Sequence, residues 1–383
     1  MGRKVCIVGT AHPFRGGMAD FNHRLAQAFL ANGDEVEIIN FTTQYPGFLF
    51  PGKTQFSEDK PPEGLKIQRK LSSVNPISWI SAGLIIRKMK PDILMVNYWL
   101  PLMAPAFGSL IRVAVRNRKT RVLSVVHNII PHEKRIGDYW FSKYFSAAVD
   151  GFLTLSRSVL KDLDAFDKTK PRLYNPHPLY DHYGEPHDRR LAKIQLGLDP
   201  DKKHLLFFGF IRDYKGLDLL LKAMKPVKER LPGVELVVAG EFYSSPDSYH
   251  QIIKDLQIDE YVNLHTDFIS SERVGLYFSA ADLVVQPYKT ATQSGVTQIA
   301  YHFNKPMVVT NVGGLGELVP HEIAGLVVDP EPAAIAMAVE KYFREQKESV
   351  FVENIKELKK MYSWKKLIAK LNQLDEKVIN QKR

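Results

Sequence analysis

Short aliphatic and β-branched runs alternate with stretches of helical periodicity along the whole chain. In the first half the apolar runs are KVCIVGT, EVEIINF, DILMVNYW, RVLSVVHN and GFLTLS. Between the first two, Phe21, Leu25, Ala28 and Phe29 recur at helical spacing, and Gly33 supplies the stop. Runs that are apolar throughout are buried on both faces, and strands separated by helices pair in parallel. The pattern therefore predicts a doubly wound α/β domain. It restarts near Lys203 with HLLFFGF, VELVVAGE, DLVVQPY, PMVVTNV and AGLVVD, separated by GLDLLLKAMKPVKERL and SYHQIIKDLQI. The intervening YNPHPLYDHYGEPHD has no apolar period and reads as a linker. The final stretch, YSWKKLIAKLNQLDEKVINQKR, reads as an amphipathic helix.

A chain of 383 residues exceeds the size at which a single core keeps growing, which agrees with two domains. Two doubly wound domains leave a cleft between the C-terminal edges of their sheets, where ligands of such folds bind. Chemistry is thus to be sought in the strand-end loops.

The uncharged run from Ile93 to Ile111 is long enough to raise the question of a membrane span. Pro101 and Pro105 interrupt it, so a strand, a turn and a short helix are expected instead. The opening MGRKVCIVGTAHP turns polar too soon for a signal peptide, and the lone Cys6 suits a reducing compartment. Both point to a cytoplasmic protein. The charge is lopsided. Residues 1–190 hold 27 Lys and Arg against 17 Asp and Glu, whereas residues 191–383 hold 25 against 25. A basic first half implies an anionic partner. No RNP-like stretch is present, so nucleic acid is not the expected one.

Four loops carry candidate chemistry. GTAHPFRGGMADF places Gly16 and Gly17 at a helix start, where a ligand could approach backbone N–H groups or the chain could simply turn. FGFIRDYKGLDLLLKA places Arg212 and Lys215 three apart before Gly216 and a helix, suited to a diphosphate or to a solvated basic loop. In KTATQSGVTQIAYHFNKP, Ser294, Gly295 and Val296 open a helix whose free N–H groups could cradle an anion. Ser294 could equally be a plain N-cap, with Gly295 present for close packing. In SVVHNIIPHEKR, His127 ends a buried strand, where a histidine is as readily structural as functional. His132 and Glu133 follow, without metal-ligand spacing, and neither a GxGxxG, a Walker loop nor a GxSxG elbow occurs.

FGFIRDYKGLDLL, VVAGE, DLVVQPY, KPMVVTNVGGLGELV and GLVVDP follow one another from Phe208 to Pro330 in an order and spacing that resemble the group 1, family 4 nucleotide-sugar glycosyltransferases. With the loops of the first half and the closing YSWKKLI, the resemblance covers nearly the whole chain. The wording ATQSGVTQIAYHF is similar to a bacterial subgroup acting on surface polysaccharides or glycolipids. The resemblance implies the GT-B fold, two Rossmann-like domains facing across a cleft. Residues 1–180 would form the acceptor domain and 181–362 the nucleotide-sugar domain, with a helix over 363–383 returning to the first.

The same resemblance implies a retaining transfer from a nucleotide-diphosphate sugar to a saccharide or lipid-linked hydroxyl, with no metal or other cofactor. Arg212 and Lys215 would stabilise the leaving diphosphate, and His127 would touch the transferred sugar or its acceptor. Gly16, Gly17, Gln293, Ser294, Gly295, Val296, Gln298 and Glu317 would bind the donor. There are two departures. Phe210 stands where the family's arginine follows its glycine, leaving Arg212 as the substitute. Both glutamates of the E-x7-E motif are missing: aligned on Pro306 they fall on Ala291 and Ile299, aligned on Gly295 on Thr292 and Ala300. Gln293 and Gln298 are the nearest polar replacements. The alternatives are another nucleotide-sugar enzyme, such as an epimerase, or a non-catalytic scaffold of the same fold.

The basic half suits peripheral contact with an anionic membrane on its inner face. GSLIRVAVRNRKTR and EKRIGDYWFSKYFS mix cations with apolar residues as interfacial segments do, although Trp140, Phe141, Tyr144 and Phe145 could equally be core.

Overall fold

The computed structural model describes residues 2–46, 54–57, 60–117, 119–131, 136–181, 183–243, 245–291 and 294–382. The chain divides into two compact units, Met1–Pro178 with Tyr362–Arg383, and Leu179–Met361.

The first unit is built on strands β1 (Lys4–Val8), β2 (Glu35–Thr43), β3 (Lys66–Ser72), β4 (Ile93–Tyr98), β5 (Arg121–Val126), β6 (Gly151–Thr154) and β7 (Arg172–Tyr174). They form one parallel sheet in the order β3-β2-β1-β4-β5-β6-β7. Every residue of β4 is buried, as its unbroken ILMVNY requires of a central strand covered on both faces. The suspected span resolves into β4, a 3-10 turn Pro101–Met103 and the helix Ala104–Ala114. Among the described residues no helix is long and apolar enough to cross a membrane. The terminal helix Trp364–Lys382 packs on β5, β6 and β7 and on the helix Gly17–Ala31. Gly151 allows that approach, since a Cβ there would stand 2.8 Å from Val378 Cγ2.

The second unit has β8 (Lys203–Phe208), β9 (Val234–Ala239), β10 (Val262–His265), β11 (Leu283–Gln286), β12 (Met307–Thr310) and β13 (Gly325–Val328). They too are parallel, in the order β10-β9-β8-β11-β12-β13. Strand order reverses between β8 and β11 here, and between β1 and β4 in the first unit. The loops leaving these strands flank the switch points where doubly wound sheets bind ligands.

Candidate functional site

In the second unit the chain leaves β8 through Gly209, whose φ of 92° lies in the left-handed region. Ile211 accepts from the Tyr243 N–H at 2.9 Å and donates to the Glu241 carbonyl at 2.8 Å, which ties this loop to the one after β9. Arg212 then opens a single 3-10 turn, Asp213–Lys215, closed by Gly216 at φ 68°. A Cβ on Gly216 would lie 1.9 Å from the Pro287 carbonyl oxygen, so only glycine lets this turn abut the end of β11.

The turn folds Lys215 back over its own loop. A Cβ on Gly209 would stand 3.0 Å from Lys215 Nζ and 3.9 Å from Val296 Cγ2. One small space beside Gly209 is therefore shared by the lysine ammonium and the first turn of the helix Gly295–His302. The Arg212 guanidinium lies 3.5 Å from the centre of the Tyr243 ring, and Lys215 Nζ lies 5.8 Å from that of Tyr288. Neither cation has a carboxylate partner among the described residues. Lys289, by contrast, is neutralised by Asp213 at 2.7 Å and Asp218 at 3.0 Å. Burial, reinforced by the charge of Arg212, lowers the Lys215 ammonium to about 7. An anion placed beside it would restore its charge.

The helix Gly295–His302 begins without a side-chain cap. The Ser294 hydroxyl does not turn back to it as an N-cap would, but pairs with the Tyr288 hydroxyl at 3.3 Å. The capping role open to Ser294 in the sequence is thus not the one it plays, and among the described residues no side chain caps the first N–H groups. Gly295 does serve close packing, since a Cβ there would be 2.8 Å from Tyr180 Cε2. Gln298 is fully buried, yet neither atom of its amide has a hydrogen-bond partner among the described residues. Gln293 lies outside the described residues. Glu317 sits exposed on the short helix Leu315–Leu318 after β12 and makes no hydrogen bond or ion pair among the described residues.

In the first unit, Asn40 holds the loop after β1. Its Oδ1 accepts from Ala11 N–H at 3.0 Å, and its Nδ2 donates to the carbonyls of Ala11 at 2.7 Å and His12 at 2.9 Å. Gly16 ends the loop at φ 100° with nothing within 4 Å of where a Cβ would stand. Its angle demands glycine and its surroundings leave the backbone approachable. Gly17 is the exposed first residue of the helix Gly17–Ala31. His127 follows β5 and is only 5% exposed, with its ring edge-on to Phe21 at 4.7 Å between centres. Burial, with the neighbouring His177, lowers it to about 3. It is therefore a neutral histidine packed in the unit's interior.

The structure brings Arg212, Lys215, Val296 and the uncapped helix start around Gly209. Gly16, Gly17 and His127 belong to the other unit. Two aromatic partners escaped sequence reasoning, Tyr243 under Arg212 and Tyr288 near Lys215; EFY directly after the VVAG strand was the available signal for the first. Among the described residues no group of three or more His, Cys, Asp or Glu is placed to hold a metal ion.

Two parallel sheets, each doubly wound with alternating helices, define an α/β protein of the GT-B class. Residues 202–345 match the family model described as glycosyl transferases group 1, and residues 15–174 match glycosyltransferase family 4. The chain belongs to the group 1, family 4 glycosyltransferases. YtcC of Bacillus subtilis is 31% identical over 166 residues, 41% of this chain and 40% of its own length. The D-inositol 3-phosphate glycosyltransferase of Pseudarthrobacter chlorophenolicus is 32% identical over 149 residues, 38% of this chain and 35% of its own. The chain spans two-fifths or less of the length of these curated relatives. Among solved structures, sucrose-phosphate synthase of Thermosynechococcus elongatus superposes with a TM-score of 0.75 at 18% identity, covering 99% of this chain and 100% of its own. HepE of Anabaena, solved in complex with UDP, gives 0.74 at 16% identity, covering 97% and 99%. At such identities the likeness is one of fold.

Proposed function

We propose that this protein transfers a sugar, with retention, from a nucleotide-diphosphate donor to a hydroxyl of a saccharide or lipid-linked acceptor, in the synthesis of cell-surface polysaccharide or glycolipid. The observation that carries the reading is the pair of cations without acid partners among the described residues, Arg212 and Lys215, beside the uncapped start of the helix Gly295–His302. Charge develops on the diphosphate as the glycosidic bond breaks, and fixed cations and N–H groups aimed at it lower that barrier without covalent chemistry. The released phosphate oxygen takes the acceptor proton. The relative solved with UDP supports a nucleoside diphosphate as the leaving group. The basic first half supports work at an anionic membrane on its inner face.

The test is a panel of UDP-, GDP- and ADP-sugars offered to the purified protein, with calorimetric binding and product NMR. Turnover from one donor, with the anomeric configuration kept, is the expected result. No binding and no turnover across the panel overturns the proposal.

A further inference from the structure

We propose that the helices Pro76–Met89, Ala104–Ala114 and Asp138–Ser146 together form a docking surface for a membrane of anionic lipid. The inference deepens the membrane reading above, and it concerns a surface that carries none of the candidate donor residues.

The three helices are neighbours, and two glycines bring them close. A Cβ on Gly83 would stand 2.7 Å from Val113 Cβ, and one on Gly108 would stand 2.5 Å from Tyr144 Cε1. With the gaps closed, the apolar side chains that remain face outward. Ile77, Ile80 and Leu84 recur at helical spacing on the first helix and are exposed, Ile77 by 76%. On the third helix Tyr139, Trp140 and Phe141 are exposed, Trp140 by 70%, while Phe145 alone among its large side chains is fully buried.

Between these apolar ridges lies a band of cations. Arg112 on the middle helix stacks 3.9 Å from the centre of the Tyr144 ring and donates to the Tyr144 carbonyl at 3.0 Å. Arg116 and Lys119 follow it, and Lys88 and Lys143 lie on the flanking helices, all exposed. The three helices themselves hold Arg87, Lys88, Arg112 and Lys143 against a single acid, Asp138. Exposed tryptophan, tyrosine and isoleucine beside cations, with acids nearly absent, is the composition that inserts into the boundary of headgroup and acyl chain while drawing anionic lipid beneath it. A protein partner with acidic patches would not need three protruding aliphatic side chains in one stripe. A lipid surface accommodates them at any angle.

The experiment is sedimentation of the full chain with vesicles of phosphatidylglycerol mixed into phosphatidylcholine, against vesicles of pure phosphatidylcholine. Binding to the anionic vesicles at least about tenfold tighter is expected, weakening steeply as salt rises to about 0.5 M. Tryptophan emission should shift to the blue on binding, because Trp140 is the exposed one. Trp140→Ser with Ile77→Ser, and separately Arg116→Glu with Lys119→Glu, should each cut vesicle binding by about tenfold or more. Hydrolysis of a soluble donor should be unchanged in both, which separates failure here from failure of the transfer reading. No binding to the anionic vesicles by a wild-type protein that folds overturns the proposal. So does self-association of the wild type that Trp140→Ser abolishes, which would make the face an interface between copies.

Discussion

If Lys215 holds the donor diphosphate, its protonation should set the affinity for donor. The ammonium sits at about 7 in the free protein because burial, and then Arg212, penalise its charge. It is about nine-tenths protonated at pH 6 and about one-tenth at pH 8. The diphosphate diester of an intact nucleotide sugar keeps its charge over this range, so the bound state requires the charged lysine. The apparent Kd should therefore be about tenfold weaker at pH 8 than at pH 6, about 1.4 kcal/mol, and weaken tenfold for each further unit. Calorimetry in two buffers of different ionisation heat should show about 0.9 protons taken up per donor bound at pH 8. Lys215→Met should bind weakly with no such uptake, and Lys215→Arg should bind with a flat profile. A wild-type Kd that is flat from pH 6 to 8 without proton uptake refutes the assignment. The sign for folding is opposite. A lysine lowered in the fold binds fewer protons than in the unfolded chain, so this group's contribution to stability rises with pH from about 7 towards the ordinary lysine value.

Gly216→Ala should lower the melting temperature by about 5 °C or more, because both its φ of 68° and the Pro287 carbonyl 1.9 Å from a Cβ oppose a side chain; a fall under about 1 °C would count against the packing described. Gln298→Leu removes a buried amide without a partner among the described residues, so the fold should hold or gain stability while donor kcat/KM falls by about tenfold or more; unchanged turnover would exclude the amide from the donor site. Asp375→Ala leaves Arg121 and Arg3 without their shared carboxylate, at a cost of about 3 kcal/mol, and hydrogen exchange over Trp364–Lys382 should quicken. Lys382→Ala, at the exposed pair with Asp150, should cost under about 1 kcal/mol in the same measurement.

Ten of the thirteen strands among the described residues are legible as apolar runs because parallel strands covered on both faces have no polar alternation to confuse them. The three that are not share a physical reason. β3, KIQRKLS, is an edge strand buried only at its last two residues, so its sequence is that of a polar surface. β7 has three residues and β10 four, all half-buried, and both close a sheet edge. Edge strands owe their pairing to a neighbour already in place, which composition does not record. The same limit shows within one helix. Trp140 and Phe145 are alike in kind, yet one protrudes and the other is core, because five positions turn the side chain by about 140°.

At the site, Arg212 and Lys215 stand out in sequence because two cations three apart, framed by Gly209 and Gly216, precede a helix start. What spacing could not convey was environment: that Ser294 faces Tyr288 rather than its helix, and that His127 is enclosed. Environment also bears on the missing glutamates. Ile299 and Ala300, where one of them would fall, are both buried in the described helix, and an acid there would be a desolvated charge without a cation among its neighbours in sequence. One position earlier, Gln298 is the polar group that the same helix does bury. A neutral amide tolerates that burial far better than a carboxylate. On the proposed function, the loss of both acids and the retention of this amide would be one adjustment, in which a neutral amide is left to meet the donor while Arg212 and Lys215 would hold its diphosphate.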